Sequence, residues 1–322
     1  MKILIVQIGK IGDTVLTTPL IRAIAENIPY VEIHVLLSRR GVPVVSGNPH
    51  VKKILLYRKD PLHLFATIAR IRLGRYDVWV DPKDHYSTEG AVLARMSGVK
   101  KKIGFNAPGR RVFSQALPSQ EENFSKHAAL RNCAPLAFLG IPTTENIRPQ
   151  LFPDPRLDAA IREEYGPWDG RTALLNISAG DACRLWDIAK WSVAAQWCLR
   201  RGLRVLISFQ PSDGALARQL HELQPKTRLF HSSSIREMVA LAPLVNVVVT
   251  PDTSMVHIAS AFNIPQIALF PSVEWNLRKF RPLSDSSIVI QPKPGEQLAT
   301  IPADDVVKAL ESIAGEKPET RF

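Results

Sequence analysis

Short, unbroken apolar runs alternate along the chain with segments whose apolar positions recur at helical spacing. In the first half the runs are KILIVQI (2–8), VEIHVLL (31–37), VKKILLY (51–57) and YDVWVD (76–81), separated by helical patterns at 14–27, 61–74 and 86–97. In the second they are RTALLNIS (171–178), LRVLISF (203–209), TRLFHSS (227–233), VNVVVT (245–250) and PQIALF (265–270), with helices near 190–201, 213–223, 235–243 and 255–263. A strand that is apolar throughout is covered on both faces, the environment of a parallel sheet between helices. The pattern therefore predicts two doubly wound, Rossmann-like α/β domains, at 1–150 and 165–322. The join is expected within TTENIRPQLFPDPRLDAAIREEYGPWDG (143–170), where proline, glycine and charge concentrate. Two such sheets facing one another would present a cleft at the carboxyl ends of their strands, where this architecture binds ligands.

Composition changes this picture little: 45% apolar and 22% charged residues are ordinary for a globular chain. No apolar run reaches the length of a membrane span, and the opening MKILIVQIG is interrupted by Gly9 and Lys10 too early for a secretion signal. A cytoplasmic protein is the expectation. Cys133, Cys183 and Cys198 lack paired spacing, so neither a disulfide framework nor a zinc site is expected.

Charge is more informative. Residues 1–150 hold 22 Lys and Arg against 11 Asp and Glu, whereas residues 151–322 hold 19 of each, so the whole +11 excess lies in the first half. That asymmetry fits an anionic partner for the first domain, or solubility alone. Nucleic acid is a weaker option, because the basic clusters VKKKIGF and PGRRVF accompany no helix-turn-helix, RNA-recognition or zinc pattern.

Candidate chemistry lies at two strand-to-helix turns. GKIGDTVLTTP follows the first strand, with Gly9 and Gly12 permitting tight backbone geometry and Asp13 at a helix start. It matches neither a Walker A loop nor the dinucleotide-binding glycine fingerprint, which excludes a nicotinamide-dependent oxidoreductase. Asp13 reads either as an N-cap or as a general base. The second turn is VVVTPDTSMVHIASA (247–261), where Asp252, Thr253, Ser254 and His257 crowd a helix N-terminus, a ready anion site. One cap needs one of these groups, so the cluster argues for a ligand.

GKIGDTVLTTP and TPDTSMVHIASAFNIP resemble the two signature segments of the heptosyltransferases, glycosyltransferase family 9, and NISAGDACRLWDIAKW resembles the stretch that opens that family's donor domain. The resemblance implies a GT-B fold, with the last helix a candidate to pack back on the N-terminal domain. It implies an ADP-heptose donor and an anionic, lipid A-linked inner-core acceptor at the inner membrane, to which the protein would attach peripherally, with no cofactor and no nucleic acid partner. It makes Asp13 the catalytic base of a single inverting displacement and Arg184 the neutraliser of the leaving diphosphate. Donor contacts fall to Asp252, Thr253, Ser254, Met255 and His257. Acceptor contacts fall to the N-terminal domain, for which Gly12, Lys100, Lys101, Lys102, Arg110 and Arg111 are the candidates. No Asp-x-Asp metal site is evident, and a helix dipole with an arginine can stabilise the leaving group without Mg²⁺.

The chain departs from the family at two points. Ser254 stands where glycine is commonest, and the acid expected to hold the donor ribose has only Asp213 as its nearest candidate. HSSSIREM (231–238) reads either as a contact to the nucleotide base or as a helix cap. An epimerase-like sugar-nucleotide enzyme of the same fold, which would form product without an acceptor, and a transferase using another nucleotide sugar remain alternatives.

Overall fold

A computed structural model describes residues 1–142, 145–168 and 170–315. The chain divides into two compact units, Met1–Phe152 and Pro153–Phe322.

In the first unit the strands are β1 (Lys2–Gln7), β2 (Glu32–Ser38), β3 (Val51–Tyr57), β4 (Val78–Val80), β5 (Lys101–Gly104) and β6 (Gln115–Ala116), and they form one parallel sheet in the order β3-β2-β1-β4-β5-β6. Helices α1 (Ile11–Val15), α2 (Thr18–Asn27), α3 (Val42–Val45), α4 (Pro61–Gly74), α5 (Thr88–Met96) and α6 (Ala128–Asn132) connect or cover them. Successive residues of β1 serve opposite faces. Ile3 and Ile5 pack with Leu20, Ile24 and Val35, whereas Leu4 and Val6 pack with Ile71, Trp79 and Leu93, all fully or nearly fully buried.

The second unit repeats the plan. It comprises α7 (Pro155–Tyr165), β7 (Thr172–Asn176), α8 (Ile188–Arg200), β8 (Arg204–Phe209), α9 (Gly214–Leu223), β9 (Arg228–His231), α10 (Ile235–Leu241), β10 (Val247–Pro251), α11 (Ser254–Ala261), β11 (Gln266–Leu269), α12 (Glu274–Phe280), β12 (Ser287–Ile290) and α13 (Ala303–Gly315). Its parallel sheet runs β12-β11-β10-β7-β8-β9. Each sheet therefore reverses its winding between the first and fourth strands of its unit, β1 beside β4 and β7 beside β10. That reversal opens a crevice at the carboxyl edge, where ligands of doubly wound sheets bind.

Several differences from the sequence pattern have plain causes. The helix expected over 14–27 is two helices, because Pro19 has no N–H to donate to the Val15 carbonyl; the Thr18 hydroxyl donates to it instead at 2.7 Å. β5 and β6 escaped the pattern because they are short and β5 opens on two lysines, while β12 is half-exposed at a sheet edge. Of the expected join, residues 143, 144 and 169 lie outside the described ones, and the remainder holds α7, capped by the Asp154 carboxylate and stopped before Pro167. The last helix, the candidate to pack back on the first domain, buries Val306, Leu310 and Ile313 in the core of the second unit with Trp191 and Ile267.

Candidate active site

The crevice of the first unit is flanked by the segments that follow β1 and β4. After β1, the Gly9–Asp13 turn is braced from below. Buried Gln7 accepts the Gly9 N–H at 3.2 Å and donates to the Thr17 hydroxyl at 3.0 Å, and that hydroxyl donates to the Asp13 carbonyl at 2.8 Å. Ser38, at the end of β2, donates to the Gly9 carbonyl at 3.2 Å. Asp13 sits in the first turn of α1 with its Oδ2 accepting the Lys10 N–H at 3.0 Å, so its carboxylate does satisfy a helix-start donor. It also lies against Gly9. A Cβ at position 9 would stand 2.7 Å from Asp13 Oδ2 and 2.9 Å from Gln7 Oε1, closer than such atoms approach, so glycine is required there for the carboxylate to keep its place. Gly12 lies inside α1.

After β4 come two acids that the sequence reading missed. Asp81 is 3% exposed, and burial holds its carboxyl above the ordinary range despite the nearby positive charge of Lys83. Its Oδ2 occupies the space that a Cβ on Gly90 would need, at 2.5 Å, beside the N-terminus of α5. Asp84 makes a buried ion pair with Arg131 at 2.7 Å, and Arg131 also donates to the Lys126 and Phe124 carbonyls, tying that segment to the crevice. The only sequence signal for either acid was its position at the end of, or just past, a predicted strand.

Cations follow the carboxyl ends of the first five strands: Lys10 after β1, Arg39 and Arg40 after β2, Arg58 and Lys59 after β3, Lys83 after β4, and Arg110 and Arg111 after β5. Arg110 is fixed by Tyr86, donating to its hydroxyl at 2.7 Å with the guanidinium 5.0 Å from the ring centroid. Lys100, Lys101 and Lys102 are not part of this set. Lys101 pairs in register with Val78, and Val78 with Ile3, so the cluster stands at the amino edge of the sheet, away from Asp13. Lys101 and Lys102 also point to opposite faces of β5, and Lys101 Nζ donates to the Phe138 carbonyl at 2.8 Å.

In the second unit the reversal point lies between β7 and β10. Beyond β7, a one-turn helix (Ala182–Arg184), capped by the Asp181 carboxylate, delivers Arg184. Beyond β10, Thr253 caps α11 by accepting the Met255 N–H at 3.2 Å. Asn176, at the end of β7, donates to Thr250 at 2.8 Å and to Thr253 at 3.2 Å, while its carbonyl accepts from Ser208 at 3.3 Å. This buried network locks the ends of β7, β8 and β10 together.

Asp252 is therefore not the cap. Its Oδ2 receives Arg184 Nη1 at 2.8 Å and Asn276 Nδ2 at 2.7 Å, and Arg184 Nη1 also lies 3.1 Å from the Asp252 carbonyl. Asp252 and Asn276 are buried, whereas Arg184 is about one-third exposed, so a fixed carboxylate holds a cation that faces solvent. Nothing in the sequence pattern pointed to Asn276, which reaches Asp252 from α12. Ser254 occupies the first helical position, half-buried, whereas Met255 and His257 are buried, the His257 ring 6.1 Å from that of Phe280. Asp213 ends a short turn just past β8, and its Oδ2 is buried without a hydrogen-bond partner among the described residues. The sheet order β10-β7-β8 thus sets Asp252, Arg184 and Asp213 on three neighbouring strand ends. HSSSIREM forms a cap: the Glu237 carboxylate accepts the Ser233 N–H at 2.7 Å and the Ser234 N–H at 3.3 Å.

The sequence model of glycosyltransferase family 9 (heptosyltransferase) matches residues 64–302, most of the chain. The chain belongs to that family. It is 25% identical over 334 aligned residues to lipopolysaccharide heptosyltransferase 3 of Escherichia coli, covering 94% of this chain and 96% of that one. It is 23% identical to lipooligosaccharide heptosyltransferase 2 of Haemophilus influenzae over 99% of this chain and 96% of the relative. Among solved structures, the family 9 glycosyltransferase of Veillonella parvula superposes with a TM-score of 0.85 at 18% identity, over 98% of this chain and 97% of the other. E. coli heptosyltransferase WaaC, solved with ADP, superposes at 0.80 and 17% identity, over 97% of this chain and 100% of the other. These likenesses bear out the GT-B architecture. The family 9 chain is a glycosyltransferase.

The raised pKa of Asp81 gives a testable sign. A buried carboxyl that resists ionisation costs stability once pH rises above its unfolded value of about 3.9, and the cost is complete above its folded value. Asp81→Asn should therefore unfold at higher denaturant than the wild type at neutral pH, with the difference vanishing in acid. A wild type more stable than the variant at neutral pH would show that the ionised form is the one the site favours.

Proposed function

We propose that the chain transfers a heptose from ADP-heptose to an anionic, lipid-linked inner-core acceptor, with inversion at the anomeric carbon. The observation that carries the donor half is Arg184, held by Asp252, whose carboxylate Asn276 fixes in turn, beside the capped start of α11 at the reversal point of the second sheet. The Ser254 N–H at the helix start and the Arg184 guanidinium offer a diphosphate a dipole and a charge. Asp252 acts through Arg184; a bare carboxylate there would repel the phosphates. Asp213 follows the second strand of its unit, where an acid holds a ribose hydroxyl in doubly wound nucleotide sites, and its unpartnered buried oxygen has the acceptor capacity for that bond. That the relative WaaC was solved with ADP supports the same nucleotide here.

In the first unit the cations beyond β1 to β5 would bind the acceptor's anionic groups, and Asp13 would take the proton of its hydroxyl. As the O–H bond breaks toward Asp13, the oxygen bonds to the anomeric carbon. The carbon's bond to the diphosphate oxygen breaks in the same step, and Arg184 receives the charge that ADP carries away. The Lys10 N–H holds the carboxylate and the Gln7–Thr17 brace holds the Asp13 backbone, so little reorganisation accompanies proton transfer.

Asp13→Asn tests the base. It keeps an oxygen for the Lys10 N–H, so the fold and ADP affinity should persist while turnover falls by roughly 10² to 10⁴. Gly9→Ala, which pushes the same carboxylate aside, should lose at least about tenfold in kcat with ADP binding intact. Near-normal turnover in a stably folded Asn variant would remove Asp13 from the mechanism.

A second measurement separates the two basic groups of the first unit. Replacing Arg110 and Arg111 by Ala should raise the acceptor KM by about tenfold, more at low salt, because both stand on the cation-bearing edge. Replacing Lys100, Lys101 and Lys102 by Ala should leave it nearly unchanged. The reverse ranking would move the acceptor to the amino edge of the sheet.

A further inference from the structure

Helix α4 is apolar on two sides. Thr67, Ile68 and Ile71 face the core, as a covering helix requires, but Leu62, Phe65 and Leu73 are 82%, 65% and 81% exposed. Successive helical residues are offset by about 100°, which puts Leu62, Ala66, Ala69 and Leu73 in one outward row with Phe65 beside it. All five are exposed. Arg70 borders the row on one side and Arg72 on the other, and Arg72 is pinned there by its Nε donating to the Met96 carbonyl at 2.8 Å. An outward apolar stripe between cations has no role in covering the sheet.

We propose that this face of α4 is the membrane-docking surface of the protein, resting on the interfacial region of an anionic phospholipid bilayer. The pattern is that of an interfacial helix, an apolar row that enters the headgroup boundary with basic residues that meet lipid phosphates. Placement argues for a bilayer over a protein partner. α4 starts after Arg58, Lys59 (paired with Glu89) and its capping Asp60, so Leu62 and Phe65 lie at the helix end next to the cation-bearing edge of the first sheet, and the whole excess positive charge of the chain is in this half. The inference rests on the reading that the acceptor is lipid-linked, which would emerge from the bilayer beside that edge. Among the described residues no helix is long and apolar enough to cross a membrane, so attachment through α4 would be on the surface.

The test uses the full chain and vesicles that contain neither donor nor acceptor, so its outcome is independent of the transfer reaction. Partition is measured by flotation with phosphatidylcholine vesicles and with vesicles that also contain phosphatidylglycerol. The wild type should float with the anionic vesicles, less at high salt, and Leu62→Gln/Phe65→Gln/Leu73→Gln should lose at least about tenfold in partition at every salt concentration. Phe65→Ala alone, which adds no polar group, should lose about threefold. Val193→Gln, at an exposed apolar position on α8, should change nothing. Cooperative melting at the wild-type temperature checks that each variant is folded; should the triple variant fail, Phe65→Ala decides. Partition unchanged by the α4 substitutions overturns the proposal. So does a wild type that ignores anionic vesicles and is a dimer in solution which the triple variant dissociates, since the stripe would then belong to a second copy.

Discussion

The parallel hydrogen-bond register of the two sheets is the constraint on which everything else rests. When all strands run one way, their carboxyl ends emerge along a single edge, and the helix that follows each strand begins there with unpaired N–H groups. Reversing the winding between the first and fourth strands parts the loops at one place on that edge. Asp13, Asp81 and Asp84 in the first unit, and Arg184, Asp252 and Thr253 in the second, stand at those two places because they lie within the short segments that follow β1, β4, β7 and β10.

Within that frame the two sites solve opposite electrostatic problems. The second unit fixes a cation: buried Asp252 takes hydrogen bonds from Arg184 and Asn276 on one oxygen, leaving the guanidinium oriented toward solvent. Breaking such a pair by removing the carboxylate would release the arginine as well as its charge. The first unit fixes an anion, the Asp13 carboxylate, by the Lys10 N–H in the space that Gly9 leaves open, and places positive charge along the same edge.

Much of this was legible in the sequence for a physical reason: short apolar runs alternating with helix-patterned segments fit strands buried on both faces, so the doubly wound plan followed from run length and alternation. The second signature turn was legible because its polar residues exceed what capping needs. In the structure that excess resolves into separate duties. Thr253 caps, Asp252 pairs with Arg184, and His257 packs against Phe280. What stayed hidden depends on pairing across the chain. Asn276 reaches Asp252 from a helix 24 residues on, and Arg131 reaches Asp84 across 47 residues, so neither leaves a local pattern. The lysines of β5 read in sequence as one patch with Arg110 and Arg111, whereas the strand sets them on two faces at the amino edge of the sheet. α4 was recognised as a helix, but its second apolar face needs exposure, which periodicity does not report.

The account is tested most directly by the stereochemistry of the product. A single displacement, with Asp13 as base and no covalent sugar-enzyme intermediate, must invert the anomeric centre. The purified chain is incubated with ADP-heptose and a lipid-linked inner-core acceptor, released ADP is quantified, and the anomeric configuration of the new linkage is determined by NMR. The account predicts one ADP per acceptor glycosylated and a linkage of configuration opposite to that of the donor. Retention of configuration, or ADP formed without glycosylated acceptor, would contradict it.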